Sequence, residues 1–213
     1  MPARLRPTAP IAADAILVGD PGRALMLAQE LLAQPKMSNH ARGLWGYTGE
    51  TGNGDALTIQ STGMGGPSAA VVLADLAEMG VRRAIRIGTC ASLGDLGLGE
   101  LLLVSEARTP AGAVATPDAE LTASLEKSLG DAHRGVAVSL DSLRAPEREQ
   151  PSPLAEGADM QTAALLTAAE EHGVMVAAVL VVAERSDSGQ LRDEELAEAA
   201  KRAGTAASIV LST

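Results

Sequence analysis

Residues 84–90 read Ala-Ile-Arg-Ile-Gly-Thr-Cys, an apolar run that contains one charge and ends in a turn. A short apolar run bounded by turn residues is typical of a buried strand. A charged side chain in such a run is costly to bury unless another group pairs with it. Arg86 therefore needs a partner, and either a structural ion pair or a bound anion would provide one.

Two further junctions have the same character. Gly19-Asp20-Pro21-Gly22-Arg23 follows the apolar run 15–18, and Gly63-Met64-Gly65-Gly66-Pro67-Ser68 precedes an apolar helical pattern. Glycines allow backbone N–H groups to point inward, and a helix N-terminus adds positive potential. Guanidinium groups such as those of Arg23 and Arg86 match phosphate oxygens geometrically. Together the three loops favour an anion site, although glycines that only shape turns and arginines in structural ion pairs would explain each loop singly.

Apolar runs alternate with helical patterns along the chain. Strands are predicted over 15–18, 84–87, 101–104, 136–140 and 174–182. Two more are predicted within 43–62, one on each side of the Asn53-Gly54 hairpin signal. Helices are predicted over 23–33, 69–79, 118–129 and 160–172 and from 193 onward, and residues 144–158 are predicted to form an exposed loop. This alternation predicts an α/β protein, a three-layer α/β/α arrangement with a mixed central sheet, in one domain over residues 1–213.

Composition excludes several functions. The chain has 213 residues and a formal net charge of −10, which is unsuited to nucleic-acid backbones. Its longest apolar run, 174–183, is too short to cross a bilayer, and the basic N-terminus lacks the apolar core of a signal peptide. We therefore expect a cytoplasmic protein that binds neither nucleic acid nor membrane.

Metal and cofactor motifs are also missing from the sequence. Cys90 is the single cysteine, and His40, His133 and His172 are scattered without ligand spacing, so no metal site is expected. There is no P-loop, no Rossmann glycine motif, no nucleophile elbow and no zinc-protease motif.

Four blocks of the sequence resemble, in order and approximate spacing, the family of purine nucleoside phosphorylases and uridine phosphorylases. The blocks are residues 18–23 (Val-Gly-Asp-Pro-Gly-Arg), 41–49 (Ala-Arg-Gly-Leu-Trp-Gly-Tyr-Thr-Gly), 61–68 (Ser-Thr-Gly-Met-Gly-Gly-Pro-Ser) and 85–92 (Ile-Arg-Ile-Gly-Thr-Cys-Ala-Ser). Asp159-Met160-Gln161 and the strand ending at Glu184 resemble the ribose and catalytic region of the same family. The resemblance implies the nucleoside phosphorylase fold.

The resemblance also implies roles for individual residues. Phosphate contacts fall to Gly19, Arg23, Arg42, Arg86 and Thr89, and nucleoside contacts fall to Met64, Asp159, Met160 and Gln161. Glu184 takes the place of the acid that protonates a departing purine. Arg42 matches an arginine that crosses a subunit interface, so a homo-oligomer, either a dimer or a hexamer, is implied.

The implied reaction is phosphorolysis of a nucleoside, with purines preferred, to give a free base and a sugar 1-phosphate. Inorganic phosphate is the co-substrate, and no cofactor is implied. The phosphate attacks the anomeric carbon, and its negative charge stabilises a transition state with oxocarbenium character.

Three positions depart from the family pattern. Gln161 replaces a glutamate that binds the ribose hydroxyls, Ala183-Glu184 replaces Ser-Asp, and the N-terminal arm has Arg4 and Arg6 where many members have a histidine. These departures keep two alternatives open, a catalytically weak homologue that binds nucleosides and a nucleosidase that uses water. The retained arginines argue against the nucleosidase, since a hydrolase has no need of three cations facing a phosphate. Leu143 is a further candidate for contact with the base.

Overall fold

A computed structural model describes residues 4–144 and 155–213 of the protein. Its helices are α1 (Pro21–Leu31), α2 (Gly66–Glu78), α3 (Ala119–Leu129), α4 (Thr162–His172) and α5 (Asp193–Leu211), with one 3-10 turn at Ala41–Gly43. Its strands are β1 (Asp14–Val18), β2 (Ala33–Asn39), β3 (Gly46–Glu50), β4 (Ala56–Ser61), β5 (Arg83–Ser92), β6 (Leu101–Arg108), β7 (Val114–Ala115), β8 (His133–Ser139), β9 (Gly157–Asp159), β10 (Met175–Arg185) and β11 (Gly189–Gln190).

The strands of the described ranges form one mixed sheet in the order β11-β10-β6-β8-β9-β5-β1-β4-β3-β2, with β7 attached to β6. Strand β1 lies between β4 and β5 and is parallel to both. Strand β5 also pairs in parallel with β10, so β5, β10, β6, β8 and β9 close into a ring. The two longest strands, β5 and β10, therefore join the open part of the sheet to this ring.

Helices cover both faces of the sheet. On one face, buried residues of α2 and α4 such as Leu73 and Leu165 pack with Ala84 of β5. On the other face, buried residues of α1 and α3, among them Leu27 and Leu125, belong to the core that contains Ile85 and Ile87 of β5, and α5 packs there as well. Successive residues of a strand point to opposite faces, which explains how one strand serves both cores. The predicted three-layer α/β/α fold with a mixed sheet is confirmed.

Most of the predicted elements are present. The hairpin between β3 and β4 closes with Gly54 in the left-handed region, where its N–H donates to the Thr51 carbonyl oxygen at 2.9 Å. The predicted helices at 69–79 and 118–129 are α2 and α3, each shifted by at most a few residues.

Other elements escaped the sequence analysis. Strand β2 contains Pro35 and Lys36 and lies at the edge of the sheet, so it lacks the apolar alternation by which strands are recognised. The predicted exposed loop is wrong at its end, because Gly157–Asp159 is a buried strand that is too short to show a period. Residues 145–154 of that predicted loop lie outside the described residues.

The parallel strands at the centre of the sheet bring the glycine loops after β1 and β4 to one edge, beside Gly88 and Thr89. These two residues lie within β5, so the prediction that the strand ends at residue 87 and enters a loop is wrong. Val18, the last residue of β1, lies opposite Ser61, the last residue of β4, and opposite Ile87 of β5. The chain segments that follow these residues therefore emerge side by side. This is the edge at which open parallel sheets bind ligands. None of the helices in the described ranges is both long enough and apolar enough to span a bilayer.

Candidate functional site

A cavity of about 360 Å3 lies at this edge of the sheet. Its walls come from the loop after β1, the loop after β4, the middle of β5, and residues just before α4. The lining residues are Gly19, Asp20, Pro21, Arg23, Gly63, Met64, Gly65, Arg86, Gly88, Thr89, Leu143, Met160 and Gln161. The three junctions that the sequence marked for anion binding thus meet around one cavity, two of them as loops and the third as part of β5.

Arg86 forms the charged floor of the cavity and is only 3% exposed. Its Nε donates to Thr162 Oγ1 at 3.0 Å, its Nη1 to Gln161 Oε1 at 2.8 Å, and its Nη2 to Asp159 Oδ2 at 3.0 Å. A guanidinium carries five N–H donors in a fixed fork. Three of them hold the side chain in place, and the other two have no hydrogen-bond partner among the residues that the structure describes.

Gly88 makes room for this guanidinium. A Cβ atom at Gly88 would lie 2.7 Å from Arg86 Nη2 and 2.6 Å from Leu180 Cδ2, both closer than side chains can approach. Any Cβ at this position would therefore force the end of the Arg86 or the Leu180 side chain to move, and the glycine avoids this.

Asp159 lies behind Arg86 and does not line the cavity. It is 1% exposed, and besides Arg86 it accepts hydrogen bonds from Thr162 Oγ1 and Ser139 Oγ, each at 2.5 Å, and from the Thr162 backbone N–H. The buried carboxylate is the structural partner that the charge of Arg86 requires. Its oxygens accept from protein donors, and the nucleoside contact that the resemblance implied for it stays a prediction.

Gln161 bridges two walls of the cavity. Its Oε1 accepts from Arg86 Nη1 and lies 3.1 Å from Thr62 Oγ1, while its Nε2 donates to the carbonyl oxygens of Gly63 at 2.8 Å and Gly65 at 3.3 Å. The side chain thereby connects the guanidinium to the loop that follows β4.

Arg23 is the second cation of the cavity and is half-buried on the first turn of α1. Burial lowers the pKa of its guanidinium; nearby Asp20 opposes this shift, and the positive charge of Arg86 adds to it. Asp20 itself caps α1, with Oδ1 accepting from the Arg23 backbone N–H at 2.7 Å. Within the two described ranges no carboxylate forms an ion pair with the Arg23 side chain, so its charge is available to an anion.

The remaining predicted residues divide into two groups. Gly19, Thr89, Met64 and Met160 line the cavity, as does Leu143. These positions put them within reach of a ligand bound above the two arginines.

Arg42 and Glu184 do not line this cavity. Arg42 is exposed on the 3-10 turn and has a φ of +60°, which a side chain rarely adopts. Glu184 lies near the end of β10, opposite Gln190 of β11, just after an irregularity in the pairing with β5. Neither position brings the charged group to the cavity wall of this chain.

The hydroxyl groups that complete the buried network were not predicted from the sequence. Thr62, Ser139 and Thr162 all hydrogen-bond to Asp159 or Gln161, and their polar atoms hold the residues that hold Arg86. Threonine and serine are common throughout the chain, and only the folded positions single these three out.

A metal centre and a cysteine nucleophile find no support in the part of the chain that the structure describes. No group of three or more His, Cys, Asp and Glu side chains there is arranged to hold a metal ion. Burial raises the pKa of the Cys90 thiol to about 12, and the nearby charge of Asp159 acts in the same direction. A thiol with this pKa is protonated at neutral pH and is a poor nucleophile.

Taken together, the cavity has one cationic end and one largely apolar end. Two guanidinium groups with unused donors lie beside glycine-rich backbone and the start of a helix, an arrangement that binds a small oxyanion. The methionines and Leu143 offer an uncharged surface for an organic group next to that anion.

Comparison with known proteins gives the family. A family model described as the phosphorylase superfamily matches residues 14–213. The chain belongs to the phosphorylase superfamily. The family predicted from the sequence blocks is thereby confirmed.

Curated members of the superfamily with similar sequences are named DeoD-type purine nucleoside phosphorylases. The one from Clostridium beijerinckii is 30% identical over 210 residues, covering 89% of this chain and 88% of that protein. The one from Bacillus subtilis is 30% identical over 199 residues, covering 84% and 85%. The one from Oceanobacillus iheyensis is 39% identical over 101 residues, a match that spans 46% of this chain and only 43% of the relative.

A solved structure of the superfamily has the same fold. The uridine phosphorylase from Vibrio fischeri superimposes with a TM-score of 0.82 at 23% sequence identity, covering 95% of this chain and 92% of that one. The nucleoside-phosphorylase-like fold is thereby confirmed over 95% of the chain.

Proposed function

We propose that this protein is a nucleoside phosphorylase, which uses inorganic phosphate to cleave the N-glycosidic bond and releases a free base and a sugar 1-phosphate. The observation that carries the proposal is the pair Arg23 and Arg86 in one cavity, with two donors of Arg86 unused and Arg23 free of ion pairs to described residues. In a chain of net charge −10, two cations facing one cavity support an anionic co-substrate.

The proposed reaction follows from the layout of the cavity. Phosphate binds at the arginine end, beside Gly19 and Thr89, and the sugar lies above it against Met64 and Met160. Binding holds the phosphate oxygen close to the anomeric carbon, so that attack and departure of the base occur within one bound complex. Positive charge develops on the sugar as the bond to the base breaks, and the adjacent phosphate stabilises it.

The purine preference rests on Glu184. A purine leaves more readily when a carboxylic acid protonates it, and Glu184 is the candidate for that acid. Because Glu184 does not line the cavity, its side chain has to reach inward from the end of β10 when a nucleoside is bound.

The proposal also covers the oligomeric state, the co-substrate and the cellular compartment of the enzyme. Arg42 is exposed and lies away from its own chain's cavity, which suits a role in a neighbouring subunit of a dimer or hexamer. The reaction requires inorganic phosphate as co-substrate and no cofactor or metal. We place it in the cytoplasm, where nucleosides and phosphate are both available.

The test is release of free base from a panel of ribo- and deoxyribonucleosides, with and without inorganic phosphate. The proposal predicts release that requires phosphate and yields sugar 1-phosphate. Release without phosphate, at the same rate, would instead identify a nucleosidase.

One observation favours a second function, that of a nucleoside-binding homologue with little catalysis: the candidate acid Glu184 lies off the cavity wall. The variant Glu184→Gln separates the two. If Glu184 is the acid, purine cleavage falls far more than pyrimidine cleavage. If purines bind to the protein but no nucleoside in the panel is cleaved, the binding function is correct.

A further inference from the structure

We propose that Gln161 is a positioning residue, which joins Arg86 to the loop 62–65 and does not itself bind the sugar hydroxyls. The link to the loop stands on the hydrogen bonds of the protein alone. The statement about the sugar rests on the proposed phosphorylase function.

The surroundings of Gln161 require an amide in one orientation. On one side its Oε1 faces two donors, Arg86 Nη1 at 2.8 Å and Thr62 Oγ1 at 3.1 Å. On the other side its Nε2 faces two acceptors, the carbonyl oxygens of Gly63 at 2.8 Å and Gly65 at 3.3 Å. A reversed amide would set donor against donor and acceptor against acceptor, so the network itself determines which atom is which.

The hydrogen-bonding positions of the amide are all directed at protein atoms. A carbonyl oxygen has two lone pairs and an amide nitrogen two protons, and Gln161 directs all four toward protein atoms. Thr62 Oγ1 is also 3.1 Å from the Val18 carbonyl oxygen, and its single proton serves one acceptor at a time. In either case the hydroxyl lies on that side of Oε1, and Gln161 is only 4% exposed, so a sugar hydroxyl would have to displace one of these partners to bind the amide.

The loop that Gln161 contacts has two residues with positive φ angles. Gly63 and Gly65 have φ values of +72° and +82°, in the region that glycine adopts without strain. Between them Met64 projects at the mouth of the cavity and is 81% exposed. The two bonds from Gln161 Nε2 therefore fix the loop that carries Met64, while the bond to Oε1 fixes the direction of Arg86.

A carboxylate would not serve the same purpose. In Gln161→Glu one carboxylate oxygen would face the carbonyl oxygens of Gly63 and Gly65 without a proton between them. Repulsion would release the loop, while the attraction to Arg86 would strengthen. The neutral amide satisfies both neighbours at once.

The first test is amide hydrogen exchange of the full chain without any ligand. Gln161→Met removes all four hydrogen bonds, and Gln29→Met makes the same change on the exposed face of α1 as a control. We expect exchange in residues 61–68 to rise about tenfold in Gln161→Met, as two lost hydrogen bonds imply, and to stay unchanged in Gln29→Met. Unchanged exchange over 61–68 in Gln161→Met would overturn the proposal.

A second variant keeps this test decisive if Gln161→Met does not fold. Gln161→Glu retains the size of the side chain and the bond to Arg86 but not the donors to the loop, and Gln29→Glu is its charge-matched control. The same rise over 61–68 is expected in Gln161→Glu, and its absence would equally overturn the link to the loop.

The second test concerns catalysis. In Gln161→Met we expect the KM for phosphate to rise about tenfold, because Arg86 loses one of its three fixed contacts, while the ratio of kcat/KM for a ribonucleoside to that for its 2′-deoxy analogue stays as in the wild type. A site that hydrogen-bonds a substrate hydroxyl rejects the analogue that lacks it by about 10⁴-fold. A ratio that collapses in Gln161→Met with an unchanged KM for phosphate would show that Gln161 binds the sugar and would overturn the proposal.

The two tests also separate the two levels of the argument. If the wild-type protein cleaves neither the ribonucleoside nor its 2′-deoxy analogue in the presence of phosphate, the proposed function fails. The statement about the sugar hydroxyls then fails with it. The exchange experiment needs no activity and still decides whether Gln161 holds the loop.

Discussion

The two ends of the cavity are built in different ways. At the anion end, Arg86, Asp159, Gln161 and Thr162 are all at least nine-tenths buried and hydrogen-bonded to one another. At the open end, Met64 is largely exposed, and Leu143 and Met160 are half-buried side chains without directional bonds to the network. If the proposed function is correct, a buried hydrogen-bonded network positions the group that binds phosphate, whereas the organic part of the substrate meets an adaptable apolar surface.

Removal of one partner of the buried ion pair between Arg86 and Asp159 should have the largest effect. Arg86→Ala leaves the carboxylate of Asp159 buried without its cation, which we expect to lower the free energy of unfolding by about 3–5 kcal/mol. Denaturant unfolding measures this loss. The double variant Arg86→Met with Asp159→Asn has no unpaired buried charge, so it should recover part of the stability but none of the phosphate-dependent activity. Equal stability of wild type and Arg86→Ala would contradict the account of the buried network.

The second cation separates binding from stability. Arg23→Ala removes a guanidinium that lines the cavity, and hydrogen bonds to charged groups contribute about 1.5–3 kcal/mol. We therefore expect the KM for phosphate to rise about 10- to 100-fold, with a melting temperature close to that of the wild type. Steady-state kinetics at varied phosphate and a thermal melt measure the two effects. A large loss of stability with unchanged phosphate dependence would make Arg23 structural.

Gly88→Ala tests how tightly the guanidinium is held. The added methyl group would meet Arg86 Nη2 and Leu180 Cδ2, and overpacking of this kind costs about 1–3 kcal/mol. We expect lower stability and a higher KM for phosphate in the same variant, because the methyl group displaces the side chain that binds the anion. The neighbouring variant Thr89→Ser adds no bulk and serves as the packing control, with stability near that of the wild type. Normal phosphate kinetics in Gly88→Ala would show that Arg86 tolerates displacement.

Substitutions at the open end of the cavity should have the smallest effect on the kinetic constants. Met64→Ala shortens an exposed side chain at the mouth of the cavity. Partial burial of a methionine by a ligand is worth at most about 1–2 kcal/mol, so we expect the KM for the nucleoside to rise about 3- to 10-fold with the KM for phosphate unchanged. Steady-state kinetics with each substrate varied in turn separates the two constants. A matching rise in the KM for phosphate would mean that the two ends are not independent.

The sequence indicated the cavity arginines and the glycine loops, but not the buried residues that hold Arg86 in place. Glycines after apolar runs and an arginine inside a strand are visible in one dimension, and parallel strands bring their ends together, so Arg23, Arg86 and the glycine loops were predicted to form an anion site. Asp159 was predicted as a nucleoside contact. Its place behind Arg86 follows from β9, a strand of three residues without a recognisable period.

The sequence could not predict which side chains line the cavity or which atoms they contact. Glu184 was chosen from its place in a block of residues, but whether it lines a cavity depends on the irregular pairing near the end of β10. The four hydrogen bonds of the Gln161 side chain depend in the same way on the backbone of Gly63 and Gly65. Their positive φ values bring two carbonyl oxygens to one amide group. Such relations arise only when distant segments pack.

Calorimetric titration of the protein with inorganic phosphate asks whether the two-arginine end binds the anion without any nucleoside or catalysis. The proposed phosphate site predicts one bound phosphate per chain in the wild type and an affinity weakened at least about tenfold in Arg23→Ala. Absence of phosphate binding to the wild type, or the same affinity in Arg23→Ala, would contradict it.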